Sequence, residues 1–101
     1  MNRRVELHHK LEEVLGSKNV YFQPPVSLKL KYPCIVYNLE TANDANANDH
    51  LYRRLYRYTL TYITKDPDDP KRDLIDNLMY CRMNRFFISD NLNHFVYEIY
   101  Y

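Results

Sequence analysis

The sequence predicts an α+β domain: a small, mostly antiparallel β-sheet of about four to five strands with two helices packed on one face. Three observations predict it. Val5, Leu7, Leu11, Val14 and Leu15 recur at helical spacing near the start of the chain. Several later segments alternate apolar and polar residues with the period of a strand. Between two of them, Asp69 followed by Pro70 opens a second helical pattern.

The first helix is expected over 2–15. Glu6, Lys10, Glu12 and Glu13 fill its polar side, and Gly16, the only glycine, follows as a left-handed C-terminal cap. "NVYF" (19–22) is aromatic and β-branched and reads as a brief strand, which "QPP" (23–25) ends because adjacent prolines cannot join a ladder. "VSLKLKY" (26–32) alternates Val26, Leu28 and Leu30 against Ser27, Lys29 and Lys31. It reads either as a short edge strand or as an extended loop.

"CIVYNL" (34–39) is apolar on both faces, as expected of a central strand covered on both sides. "ETANDANANDH" (40–50) has no aromatic and no large aliphatic residue, so it has nothing to contribute to a core. It lies between two strands and reads as a long hairpin connection. Most hairpin loops have about 2–5 residues, and longer ones are usually functional or disordered.

"LYRRLYRYTLTYI" (51–63) is the next strand. Arg54, Tyr56, Tyr58, Leu60 and Tyr62 alternate with Arg53, Leu55, Arg57, Thr59, Thr61 and Ile63. From Tyr56 onward the even positions are the better core face, and the arginines cluster at the end beside the polar connection. "TKDPDDP" (64–70) stops this strand. A second helix is expected through "KRDLIDNLMY" (71–80), with Leu74, Ile75, Leu78 and Met79 on one face. A strand at 81–88, a turn at 89–93 and a strand at 94–101 complete the chain. The sheet face away from the helices is expected to be wet or covered by a neighbour.

A chain of 101 residues makes one domain. It buries very roughly two-thirds of its unfolded surface, which supports only a modest core. Eleven tyrosines stand beside four phenylalanines and no tryptophan. Tyrosine joins an apolar body to a polar tip, so this excess points either to surfaces buried on assembly or to a tyrosine-rich β core. Fourteen Lys and Arg against thirteen Asp and Glu leave a formal charge of +1. That balance argues against a dedicated nucleic-acid binder, which carries a basic excess or a basic face. No apolar run spans a bilayer, and the charged N-terminus lacks the apolar region of a secretion signal. Cys34 and Cys81 are expected as free thiols of a reducing compartment, with a Cys34–Cys81 bridge as the lesser alternative.

No catalytic motif emerges. His8, His9, His50 and His94 lack the spacing of a zinc site, and a surface or capping role is the expectation for them. The aspartates of 66–69 lack the glycine and distal glutamate of a calcium loop. One glycine cannot form a phosphate-cradling loop, and Ser17, Ser27 and Ser89 lack a nucleophile context. No enzyme activity, metal or cofactor is expected. A nucleic-acid-binding module built on 51–63 is a competing expectation. A stacking platform, however, needs aromatics and arginines on one face, and strand alternation separates Tyr56 and Tyr58 from Arg53 and Arg57.

Several phrases together resemble a known family. "VYFQPP", "YPCIVY", the long Asn/Asp connection, the Tyr-rich strand ending in "TKDPDDP", and the terminal "DNLNHFVYEIYY" are similar to the tail terminator, or tail-completion, proteins of long-tailed bacteriophages. The resemblance covers nearly the whole chain and lies in element order and phrases, with no catalytic residues to carry over. It implies a virion structural protein at the head–tail junction, assembled in the host cytoplasm. Such proteins form a ring, typically a hexamer, that caps the tail tube and stops its polymerisation. They also offer the docking surface for the capsid connector. Partners would be other copies of the chain, the major tail tube protein and the head–tail connector, with DNA only as cargo in the channel and no membrane. A head-closure or adaptor role in the phage neck is the neighbouring alternative. The candidate assembly interface is the polar connection with its adjoining arginines: Asn43, Asp44, Asn46, Asn48, Asp49, His50, Arg53 and Arg57.

Overall fold

A computed structural model describes residues 3–41, 56–78 and 80–101. The elements run α1 (Arg3–Leu15), β1 (Val20–Phe22), β2 (Cys34–Thr41), β3 (Arg57–Thr64), α2 (Lys71–Asp76), β4 (Cys81–Ser89) and β5 (Leu92–Tyr100). The five strands form one sheet in the order β1-β2-β3-β5-β4. Only the β1–β2 pair is parallel. The other three pairs are antiparallel, which makes the domain an α+β fold with a mostly antiparallel sheet.

Leu7, Leu11 and Leu15 of α1 stand one turn apart and are all buried. They pack on the sheet face formed by Val20, Ile35, Tyr37, Tyr58, Leu60, Tyr62, Phe95, Tyr97 and Ile99. The even positions of β3 are therefore the core positions, as alternation predicts. Gly16 ends α1 with φ +77°, and its N–H donates to the Glu12 carbonyl at 2.8 Å. Tyr37, Tyr58, Tyr62 and Tyr97 are all buried, so much of the tyrosine excess builds the chain's own core.

One open alternative is decided in favour of the loop, and two expectations change. Segment 26–32 forms no strand; it is an extended connection with Val26 fully exposed and Leu28 and Tyr32 also exposed. The second helix spans six residues rather than the ten of 71–80. Asn77 ends it: its side-chain Nδ2 donates to the Asp73 carbonyl at 2.8 Å, and Leu78 N–H turns back to the Ile75 carbonyl. Only Ile75 of the helix is buried, while Leu74 faces solvent. The last turn is tighter than 89–93. Asp90 and Asn91 both have positive φ, 53° and 62°, which suits a two-residue hairpin turn and extends both strands toward it.

Asp69 organises the entry to α2. Its Oδ1 accepts the Lys71 N–H at 2.9 Å, and its Oδ2 accepts the hydroxyls of Tyr62 and Thr64 at 2.6 and 3.1 Å. Burial alone would raise this carboxyl. The donors from Tyr62, Lys71 and Thr64 outweigh it and hold Asp69 below its ordinary range.

Candidate assembly surfaces

Of the sequence-predicted interface residues, Arg57 is the one within the described residues. Asn43, Asp44, Asn46, Asn48, Asp49, His50 and Arg53 lie outside them, as do most of the 40–50 connection and the first part of the 51–63 strand. Arg57 begins β3 on the sheet face away from the helices. Its Nη1 lies 4.0 Å from Glu98 on β5, and Glu98 also meets Arg82 of β4 at 3.4 Å. Alongside, the Thr59 hydroxyl donates to Glu40 at 2.7 Å. Glu40, Arg57, Thr59, Asn84, Arg85 and Glu98 line one open depression on this face. Cross-strand ion pairs this exposed each contribute about 0–1 kcal/mol, so their role lies in charge pattern more than in stability.

The helix-free face is only partly wet. Cys34, Ile63 and Val96 are buried there, while Val36, Thr59, Thr61, His94 and Glu98 are half-buried. Tyr58 and Tyr62 are enclosed in the core and give bases nothing to stack on.

The strongest surface feature is one the sequence reading did not single out. β4 is the outermost strand next to β5, and among the described residues no strand pairs with its other edge. A bulge between Met83 and Arg85 shifts its register. Cys81, Met83, Phe86 and Ile88 consequently align with Ile99, Tyr97, Phe95 and Asn93 on the helix side. Arg82, Arg85 and Phe87 align with Glu98, Val96 and His94 on the opposite side. The six-residue α2 touches β4 but leaves most of its apolar side chains exposed. Met83, Phe86, Phe87 and Ile88 are exposed by 46, 44, 38 and 64%. Phe86 still touches the core through Phe95, with ring centres 4.9 Å apart, and Phe87 stacks on His94 at 4.5 Å. Strict alternation in "CRMNRFFI" holds no sign of the bulge at Asn84, which is why the sequence alone does not place Phe86 and Arg85 on their faces.

For His8, where a surface or capping role is expected, the ring is half-buried: its Nδ1 lies 2.8 Å from the Tyr37 hydroxyl, and its Nε2 lies 3.6 Å from Glu12. Arg4 donates to the same hydroxyl at 3.3 Å and lies over the Phe22 ring. Burial lowers the His8 pKa against the pull of Glu12, and burial raises Tyr37. Neutral imidazole and neutral phenol are the stable pair there. Cys34 and Cys81 are free thiols, and burial pushes both up to about 12, with Asp76 adding to the effect at Cys81. Among the described residues, no three His, Cys, Asp or Glu side chains gather into a group able to hold a metal ion. No described helix is long and apolar enough to cross a membrane.

No family model, no curated protein and no solved structure matches the chain.

Proposed function

We propose that this chain is a structural virion protein that forms a ring, hexameric by its resemblance, at the head–tail junction of a long-tailed bacteriophage. In this reading the ring caps the tail tube, halts its polymerisation and offers the docking surface for the capsid connector. DNA passes through as cargo. The observation that supports an assembly role is the β4 margin, a nine-residue edge strand whose Met83, Phe86 and Ile88 stay largely exposed among the described residues. Natural sheets blunt their edges with short strands, prolines, charges, bulges or covering elements; β4 carries two arginines and the bulge at Asn84, yet it keeps a nine-residue length and an exposed apolar row that can recruit another chain. An uncovered edge of this length suits a subunit that acts in an assembly.

The face bearing Arg57 supports the same reading. Arg57, Arg82 and Arg85 sit among Glu40 and Glu98, a mixed-charge surface suited to protein contact more than to gripping a phosphate backbone. The test is the position of the subunit in intact virions. Contact with the tail tube protein supports termination. Contact with head parts alone transfers the chain to the head-closure role, and absence from the virion overturns both.

A further inference from the structure

We propose that the β4 edge is a strand-docking site for an extended segment of a different protein, one that alternates apolar and acidic residues. The two rows of β4 define that chemistry. On the helix side the row is apolar, with Met83, Phe86 and Ile88 exposed. On the other side the row carries Arg82, whose side chain stays 83% exposed although it meets Glu98 of β5 at 3.4 Å, and Arg85, whose guanidinium lies over the Phe87 ring of the same row. Residues 81–89 contain two arginines and no acid. A strand added to this edge places successive side chains alternately beside the two rows. Apolar residues at every second position would cover Met83, Phe86 and Ile88. Carboxylates at the positions between would meet Arg82 and Arg85, and opposite charges across a strand pair are favoured.

The chain's own segments do not supply this partner. A second β4 offers no carboxylate to Arg82 and Arg85, because residues 81–89 contain none. Segment 26–32 has exposed apolar residues in alternation, but its polar positions carry Lys29 and Lys31. Segment 40–50 carries Glu40, Asp44 and Asp49 with no Lys or Arg, but it has no large apolar residue to cover Phe86 and Ile88. Charge complementarity therefore assigns the edge to a heterologous strand. This rests on the reading of the β4 margin as an assembly surface and deepens it, by assigning that margin to a partner other than a second copy.

The test uses the purified full chain with two synthetic ten-residue peptides, one alternating Val and Glu and one alternating Val and Lys. Amide hydrogen exchange along β4 reports docking at the edge. The Val/Glu peptide is expected to protect amides of 81–89 and to bind on the order of tenfold more tightly than the Val/Lys peptide. An Arg82→Glu, Arg85→Glu double variant is expected to reverse that preference. If this variant loses exchange protection in β3 and β5, Arg82→Gln with Arg85→Gln is used instead, and the preference is then expected to vanish. Protection of β4 by neither peptide, or equally by both, overturns the proposal. Protection of β4 in a dimer formed without peptide also overturns it, because the edge would then belong to a second copy. The masses read in the same samples report self-assembly separately.

Discussion

The Tyr62 hydroxyl donates a 2.6 Å hydrogen bond to the Asp69 carboxylate, and this contact ties the central strand β3 to the start of α2. The same carboxylate caps α2 through Lys71 N–H and holds the Thr64 hydroxyl. Tyr62→Phe is expected to destabilise the fold by about 1.5–3 kcal/mol, the range for a hydrogen bond to a charged group. Asp69→Ala, which also removes the cap, is expected to cost about 2–4 kcal/mol. Urea denaturation followed by circular dichroism checks both values.

The pH dependence of that contact follows from the lowered pKa of Asp69. The unfolded chain takes up its proton first as pH falls past the ordinary 3.8. The contribution is therefore complete above that value and is lost as pH falls through the folded pKa. Asp69→Asn is expected to shift less than the parent between about pH 4 and pH 2. Midpoints measured across that range test the sign.

His8 imposes a second pH dependence nearer neutrality. Its folded pKa lies below 6.5 because burial disfavours the imidazolium. As pH falls through 6.5 the unfolded state protonates first, so stability declines until the folded imidazole also titrates. His8→Gln is expected to flatten the stability profile between about pH 7 and pH 5. Thermal midpoints of both proteins, measured at half-unit pH intervals, check this.

The two thiols are expected to resist alkylation while the chain is folded. A thiol pushed up to about 12 holds very little thiolate at pH 8. Relative to an unperturbed cysteine, the reactive form is reduced by about a thousandfold or more, before restricted access is counted. Mass spectrometry after iodoacetamide treatment is expected to find both cysteines unmodified in native buffer and both modified in denaturant.

Much of the sheet was legible because Tyr58, Leu60 and Tyr62 alternate cleanly with Thr59 and Thr61, and period two decides which face is buried. Helix α1 was legible for the same kind of reason, with Leu7, Leu11 and Leu15 one turn apart and a glycine behind them. The end of α2 was not. Leu74 and Leu78 continue an apolar pattern past the point where the Asn77 side chain takes the Asp73 carbonyl and closes the helix. That shortening, together with the bulge at Asn84, exposes Met83, Phe86 and Ile88, so the strongest candidate surface depends on two local events without a periodic signal. Tyrosine count alone did not separate core from surface. Tyr37, Tyr58, Tyr62 and Tyr97 went inside because each lies on the inward position of a central strand, whereas Tyr32, Tyr56 and Tyr80 lie outside strands and stay exposed.

The proposed ring on the tail tube is tested most directly by native mass measurement of the chain mixed with tail tubes of the virus that encodes it. The parent is expected to form a closed ring of fixed copy number on the tube. A variant lacking residues 43–48 is expected to keep the parent's circular dichroism but lose that ring. A parent chain that stays monomeric in the presence of tubes would contradict the account.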